Sequence, residues 1–339
     1  MSGGDGIRQS KWAGREAVVD GKRKTKDSTL YLWSELPEWL QGGNELTLTG
    51  YRPITESVYE CVLSWFYLHN ESVNIWSHFL GAVLFACLPC YIFTTEIPPR
   101  YAVASTADVT VFSVYLFGVA ICFCLSTAFH TLTNHSARVL TLGLQLDWLG
   151  VVILMWSATI PQVHYAFSCP AAAADSSSSA DATAAAAAAA IPLRNLYWAL
   201  LTAQAGACAA YTFAERFRDP LTGGRRAAAY AGLAALTLVP VGHAWARDGW
   251  GRRGAEREAA REKLALGWVG VTVVCNGLGA AAYAVKFPER WYPRRFDIFG
   301  SSHQILHVMV ILAALAHAKG MLQSFDHVHS GGDTCDVGV

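Results

Sequence analysis

The last apolar segment of the chain reads SSHQILHVMVILAALAHAKGM over residues 301–321, and it carries two histidines four positions apart, His303 and His307. Residues i and i+4 lie on one face of a helix, about 6 Å apart, so both imidazoles can reach a single metal ion. An apolar segment of about 20 residues is long enough to cross a bilayer. The segment therefore predicts a membrane helix that supplies two ligands of a metal site.

The composition places most of the remaining chain in a membrane as well. Of the 339 residues, 53% are hydrophobic and 15% are charged, and the formal net charge is zero. This balance is typical of a polytopic membrane protein. Because no basic stripe accompanies the zero net charge, we expect no nucleic-acid partner. The fold class predicted is all-α, a bundle of seven transmembrane helices, and the apolar stretches are 75–95, 109–129, 139–161, 196–214, 227–245, 264–285 and 301–321.

Polar segments divide the chain around this bundle. Residues 1–70 are predicted to form a polar cytoplasmic region, residues 71–321 the transmembrane domain, and residues 322–339 a C-terminal tail. Residues 169–192 are rich in Ala and Ser. We interpret them as a low-complexity, solvated loop between the third and fourth stretches, because the Ala run is too short to span a bilayer.

The distribution of positive charge predicts the orientation of the bundle. The N-terminal side of the seven stretches carries 17 of the 26 Lys and Arg residues, and the opposite side carries 9. Lys and Arg are concentrated in cytoplasmic loops. We therefore expect the N-terminus in the cytoplasm and the C-terminus outside the cell or in a lumen. The protein is predicted to be a multi-pass integral protein of the plasma membrane or the endoplasmic reticulum.

Two more ionisable residues lie inside apolar stretches, His130 at the end of the second and Asp147 about two turns into the third. Burying such side chains in hydrocarbon is costly, and they are usually functional. Because successive stretches cross the membrane in opposite directions, both residues are predicted to lie at the same membrane depth as His303 and His307. Zinc takes about four N, S or O ligands in a tetrahedron. The four residues predict a zinc site, and the alternative is that each is a hydrogen-bonded residue of helix packing.

Five other histidines are expected to lie away from this site. His317 follows His307 by ten residues, or about 15 Å along a helix. Four further histidines are expected at the opposite interface or in the tail: His164, His243, His327 and His329.

Three motifs occur in order along the chain: Glu71-Ser-Val-Asn-Ile-Trp-Ser-His78, Ser126-Thr-Ala-Phe-His130 with Asp147 downstream, and Ser302-His-Gln-Ile-Leu-His307. Together they resemble the progestin and adipoQ receptor family. That family includes the adiponectin receptors, hemolysin III-like proteins and fungal zinc-homeostasis membrane proteins. The segments Leu36-Pro-Glu-Trp-Leu40 and Tyr51-Arg-Pro53 are similar to its cytoplasmic lead-in. The resemblance spans residues 36–321.

The resemblance implies seven helices with the N-terminus inside, and it assigns roles residue by residue. His130, His303 and His307 would bind Zn²⁺ directly, Asp147 would hold a zinc-bound water, and Ser126 would lie beside the metal. Three protein ligands and a water are the open arrangement of a catalytic zinc rather than a purely structural one.

The motif at the head of the first stretch has two interpretations. Glu71, Asn74 and His78 are spaced to share one helix face. They would either orient the metal ligands through hydrogen bonds or cap the helix and reach the membrane interface. They are not predicted to be ligands.

Two functions are compatible with these features. In the first, the protein is a zinc-dependent hydrolase of membrane-lipid amides of the ceramidase type, with Asp147 as general base and Ser126 near the oxyanion. In the second, it is a receptor or a regulator of lipid and zinc homeostasis whose zinc only ties helices together. The expected partners are membrane lipids, ceramide or sterol among them, and an extracellular protein ligand.

Overall fold

The computed structural model describes residues 30–96, 104–167, 180–214 and 223–330, and within these ranges the fold is an all-helical bundle without a named β-strand. One isolated antiparallel bridge joins Tyr31 and Tyr51. The α-helices in chain order are α1 Glu38–Gln41, α2 Val58–Leu63, α3 Ser72–Tyr91, α4 Thr106–Leu132, α5 Ala137–Ala166, α6 Ala180–Phe213, α7 Gly223–Thr237, α8 Val239–Asp248, α9 Gly254–Lys263, α10 Leu266–Val285 and α11 Ser302–Ser330.

Six segments of the described chain are long and apolar enough to cross a membrane, which confirms a multi-pass membrane protein. The 34-residue helix α6 contains the fourth predicted stretch and is not among the six. Seven crossings and the orientation of the termini therefore stay predictions. The six segments are Ser72–Thr95, Thr106–Leu132, Ala137–Ala166, Ala228–Asp248, Leu266–Val285 and Ser302–Ser330.

Three boundaries differ from the sequence prediction. Helix α6 begins at Ala180, so the Ala-rich part of the predicted loop 169–192 is helical where the structure describes it, in keeping with the helix propensity of Ala. The fifth stretch is divided into α7 and α8, because Pro240 at the start of α8 has no N–H to continue the preceding helix. Helix α11 continues to Ser330 and takes in part of the predicted tail.

Small residues bring α4 and α5 into close contact. A Cβ at Gly118 would overlap the Ser157 hydroxyl, and one at Gly150 would lie 3.1 Å from the Cα of Cys122. Close approach at small residues is the usual way in which membrane helices associate. Gly150 is less than one turn from Asp147, so this contact sets the distance between Asp147 and α4.

A buried aromatic core joins α3, α4 and α11. Phe85, Phe112, Phe123 and Phe325 are all fully buried in it. The hydroxyl of Tyr115 donates to the Ala314 carbonyl at 2.7 Å, which ties α4 to the middle of α11. The core fixes the three helices whose ends meet at the candidate site.

Residues 31–70, here called the N-terminal cap, pack on the end of the bundle at which α4 ends and α11 begins. The Thr49 hydroxyl donates to Asp297 at 2.8 Å, in the loop before α11. The Asn134 amide donates to the Pro53 carbonyl at 2.8 Å, in the turn after α4. The predicted polar region is therefore, in this part, a packed element of the fold.

Candidate metal centre

Three histidines from two helices converge at this end of the bundle. One ring nitrogen from each of His130, His303 and His307 lies within 4.8 Å of the other two. The Nε2 atoms of His130 and His303 are 3.3 Å apart. His130 and His307 are 3% and 4% exposed, and His303 is partly buried. Within the described residues this is the one group of His, Cys, Asp or Glu side chains arranged to share a metal ion.

Helix geometry explains how the group forms. His130 is in the last turn of α4, and His303 and His307 occupy the first two turns of α11. Since α4 ends where α11 begins, the two helices present these turns to each other. The structure brings these three sequence-predicted residues together at one end of the bundle.

Asp147 and Ser126 lie beside the histidines without joining the group of three. Asp147 is partly buried on α5, and its carboxylate faces the Ser126 hydroxyl and the His130 imidazole. Ser126 is 2% exposed and lies one turn before His130 on α4. A carboxylate and a hydroxyl therefore lie beside the His130 imidazole, on the α4–α5 side.

Glu71 selects the tautomer of His130. The Oε2 atom of Glu71 lies 2.8 Å from Nδ1 of His130, and the Asn74 amide donates to the same oxygen at 2.7 Å. Burial alone would raise the pKa of Glu71, but His130 and Asn74 hold that pKa below its ordinary value. An ionised carboxylate only accepts hydrogen bonds, so Nδ1 of His130 carries the proton. In neutral His130 the lone pair is then on Nε2, which faces His303.

His307 is held from the α3 side. Its ring stacks on His78, with centroids 3.6 Å apart and an interplanar angle of 12°. The Ser77 hydroxyl lies 3.4 Å from Nδ1 of His307. Both ring nitrogens of His78 are buried and have no hydrogen-bond partner among the described residues. The sequence placed His78 near the site but gave no sign of the stacking, which joins residues that are far apart along the chain.

The donor set fits a zinc ion. Neutral imidazole is a common zinc ligand, and a histidine ligand usually donates its other ring N–H to a carboxylate or a similar acceptor. His130 has that acceptor in Glu71, and the Ser77 oxygen offers one to His307. The three convergent nitrogens and these two hydrogen-bond partners are therefore compatible with a zinc site.

The same residues fall within a known family. The family described as Haemolysin-III related matches residues 66–318, three quarters of the chain, and this range includes every residue described above beside the three histidines. The chain belongs to this family. The resemblance to the progestin and adipoQ receptor family is confirmed by its relatives.

Relatives from fungi and animals extend over most of the chain. The ADIPOR-like receptor IZH2 of Saccharomyces cerevisiae is 32% identical over 302 residues, covering 88% of this chain and 85% of the yeast protein. The adiponectin receptor protein of Drosophila melanogaster is 29% identical over 289 residues, covering 85% of this chain and 58% of the fly protein. The progestin and adipoQ receptor-like protein 1 of Caenorhabditis elegans is 30% identical over 289 residues, covering 85% of this chain and 59% of the nematode protein. This haemolysin-III related chain is thus similar to receptor-like membrane proteins.

Proposed function

We propose that this protein is a zinc-dependent hydrolase of membrane-lipid amides, of the ceramidase type, linked to lipid and zinc homeostasis. The observation that carries the proposal is the pairing of three convergent imidazoles with a carboxylate and a hydroxyl beside one of them, His130. A site that served only to join helices would have no need of an adjacent base. The membrane location favours a lipid substrate.

The residues divide the chemical work. His130, His303 and His307 would hold the zinc ion, which when bound polarises a carbonyl and acidifies water. Asp147 would accept a proton on its carboxylate from the attacking water and later deliver it to the leaving amine. Ser126 would donate a hydrogen bond either to Asp147 or to the oxygen on which negative charge develops. Glu71 would keep His130 in the tautomer whose Nε2 is free.

The decisive experiment separates chemistry from metal binding. Asp147→Asn should retain full zinc, because the three imidazoles remain. It should lower fatty-acid release from a ceramide in detergent micelles by roughly 10²–10⁴-fold, the usual cost of losing a positioned base. Ser126→Ala should lose less.

A matched control variant tests whether the loss of activity is specific to Asp147. Glu256→Gln removes an exposed carboxylate on α9 and should release fatty acid at the wild-type rate. Asp147→Asn protein as active as wild type, or zinc-loaded wild-type protein that hydrolyses no ceramide, would overturn the proposal.

The second candidate is a receptor or regulator with a structural zinc. The names of the yeast and animal relatives, which call them receptors, favour it. Its ligand would be a membrane lipid such as a sterol, or an extracellular protein. Under this function, removing zinc should lower the thermal stability of the protein. No lipid amide should then be hydrolysed at any zinc content.

A further inference from the structure

We propose that Arg52 and Glu289 are positioning residues of the three-histidine centre, which they reach through the backbone of the helix ends that carry the histidines. The inference rests on the zinc centre of the proposed function, and it names two residues outside the membrane helices. Neither side chain contacts the imidazoles. Each binds the backbone at, or directly beside, a histidine.

Arg52 holds the end of α4. Its guanidinium is 2% exposed. One nitrogen, Nη2, donates to the His130 carbonyl at 2.6 Å, and the other, Nη1, donates to the Thr131 carbonyl at 2.9 Å. The same two nitrogens also donate to the Thr133 and Ser64 hydroxyls, at 2.7 and 2.8 Å. The planar fork of the guanidinium therefore fixes the last turn of α4 in place.

Glu289 holds the start of α11 in the corresponding way. Its carboxylate is fully buried and accepts from the Ser302 backbone N–H at 2.9 Å and from the Ser302 hydroxyl. The Asn44 amide donates to it at 2.8 Å. Ser302 is the first residue of α11 and directly precedes His303. Glu289 thus caps the turn that carries a histidine ligand.

The signs of the two charges match the helix ends. The C-terminus of a helix carries partial negative charge and attracts a cation, and the N-terminus attracts an anion. A neutral side chain could satisfy either end, and burying an ion is costly. Charge-assisted hydrogen bonds are, however, shorter and more directional than neutral ones. Two buried charges at these ends favour a role in holding the two helices at a fixed separation.

The N-terminal cap supplies part of both contacts. Arg52 belongs to the cap, and Asn44 of the cap orients Glu289. The cap therefore spans the gap between the two helices that the metal must bridge. Loosening it should let the ligand-bearing turns move apart, so metal affinity should fall before the bundle itself unfolds.

The test measures binding of the metal alone. Purified full-length wild type, Arg52→Lys and Arg52→Met are titrated with Zn²⁺ against a competing chelator, and with Co²⁺ by its visible absorption. We expect both variants to bind Zn²⁺ roughly 10–100-fold more weakly, as is usual when an outer partner of a ligand is lost. Lysine keeps the positive charge but lacks the planar guanidinium group that can bind two carbonyls at once. The Co²⁺ spectrum should change shape, because the ligand geometry changes.

The matched control is Arg247→Met. Arg247 also donates to a helix-terminal carbonyl, that of Ala166 at the end of α5, at 3.2 Å, but at the other end of the bundle. The Arg247→Met variant should keep wild-type Zn²⁺ affinity and an unchanged Co²⁺ spectrum. Glu289→Gln should behave like Arg52→Lys, and it remains available if Arg52→Met fails to fold.

Wild-type affinity and spectrum in folded Arg52→Lys and Glu289→Gln would overturn the inference. Equal losses in Arg247→Met would overturn it too, because the effect would then be general destabilisation. If the affinity losses appear but wild-type protein hydrolyses no lipid amide, the inference holds and the hydrolase proposal fails.

Discussion

Nδ1 of His130 lies 2.8 Å from Oε2 of Glu71, which joins the last turn of α4 to the residue before α3. The contact places the proton of His130 on the side away from the other two histidines. The Nε2 lone pair is thereby directed into the centre before any metal arrives. A carboxylate that accepts the other ring N–H of a histidine ligand also makes the ligating nitrogen more basic.

Replacing Glu71 with Gln should weaken metal binding. The amide keeps the shape of the side chain but removes its charge, so it holds the His130 proton less firmly. We expect roughly 10-fold weaker Zn²⁺ affinity in chelator competition. Glu38→Gln, on the exposed surface of the cap, should bind as wild type does. A Glu71→Gln affinity equal to wild type would show that this contact does not tune the ligand.

The histidine pair of α11 should determine the zinc content. His303→Ala combined with His307→Ala removes two of three convergent imidazoles. Elemental analysis of the purified double variant should find less than roughly one tenth of the wild-type zinc per chain, because one histidine cannot complete a tetrahedral site. The paired replacement of His327 and His329 by Ala, at the other end of α11, should keep full zinc. Stoichiometric zinc in the first variant would refute the site.

His78 should be dispensable for zinc. Its ring stacks on His307, but its two nitrogens have no hydrogen-bond partner in the part of the chain that the structure describes. Phe preserves the stacking surface and removes two buried polar atoms, a change that is often neutral. His78→Phe should therefore hold one zinc per chain by elemental analysis. His78→Ala is expected to bind more weakly, because His307 then loses its stacking partner. If His78→Phe loses its zinc, His78 is itself a ligand.

Gly150 should be intolerant of larger side chains. A Cβ there would meet the backbone of Cys122 at 3.1 and 3.2 Å, so α5 has to move away from α4. Gly150→Val should lower the free energy of unfolding by about 1–3 kcal/mol, the usual cost of overpacking. Because Asp147 is less than one turn away, hydrolysis should fall more than zinc content. Gly206→Val is the control, because a Cβ at Gly206 would have no heavy atom of the described residues within 4 Å, its own helix backbone and chain neighbours apart. Equal melting temperatures of the two variants would contradict close α4–α5 packing.

The two termini should lie on opposite sides of the membrane. The Lys and Arg residues divide 17 to 9 between the two sides of the seven predicted stretches. In sealed vesicles whose lumen corresponds to the cytoplasm, an N-terminal tag should be protected from protease and a tag after Val339 should be cleaved. A tag inserted in the exposed α9 helix should behave like the C-terminal tag. Both termini on one side would mean an even number of crossings.

The sequence by itself determined the membrane class and the positions of most helices. In a bilayer every backbone polar group must be bonded within its own segment, so a run of apolar residues forms a helix whatever its neighbours are. His303 and His307 share a face for the same local reason. The depth of His130 followed from the alternation of the crossings, because helix length and direction fix it.

Tertiary structure alone decided which side chains meet. Glu71 reaches His130 across 59 residues, and Arg52 reaches its carbonyl across 78. No periodicity encodes such pairs, since apolar helices offer similar faces in every direction. The close approach at Gly118 and Gly150 and the buried charges at two helix ends select the faces that are in contact. The spacing of His303 and His307 could therefore be read from the local sequence. The residues that orient the histidines come together only when the helices and the N-terminal cap pack.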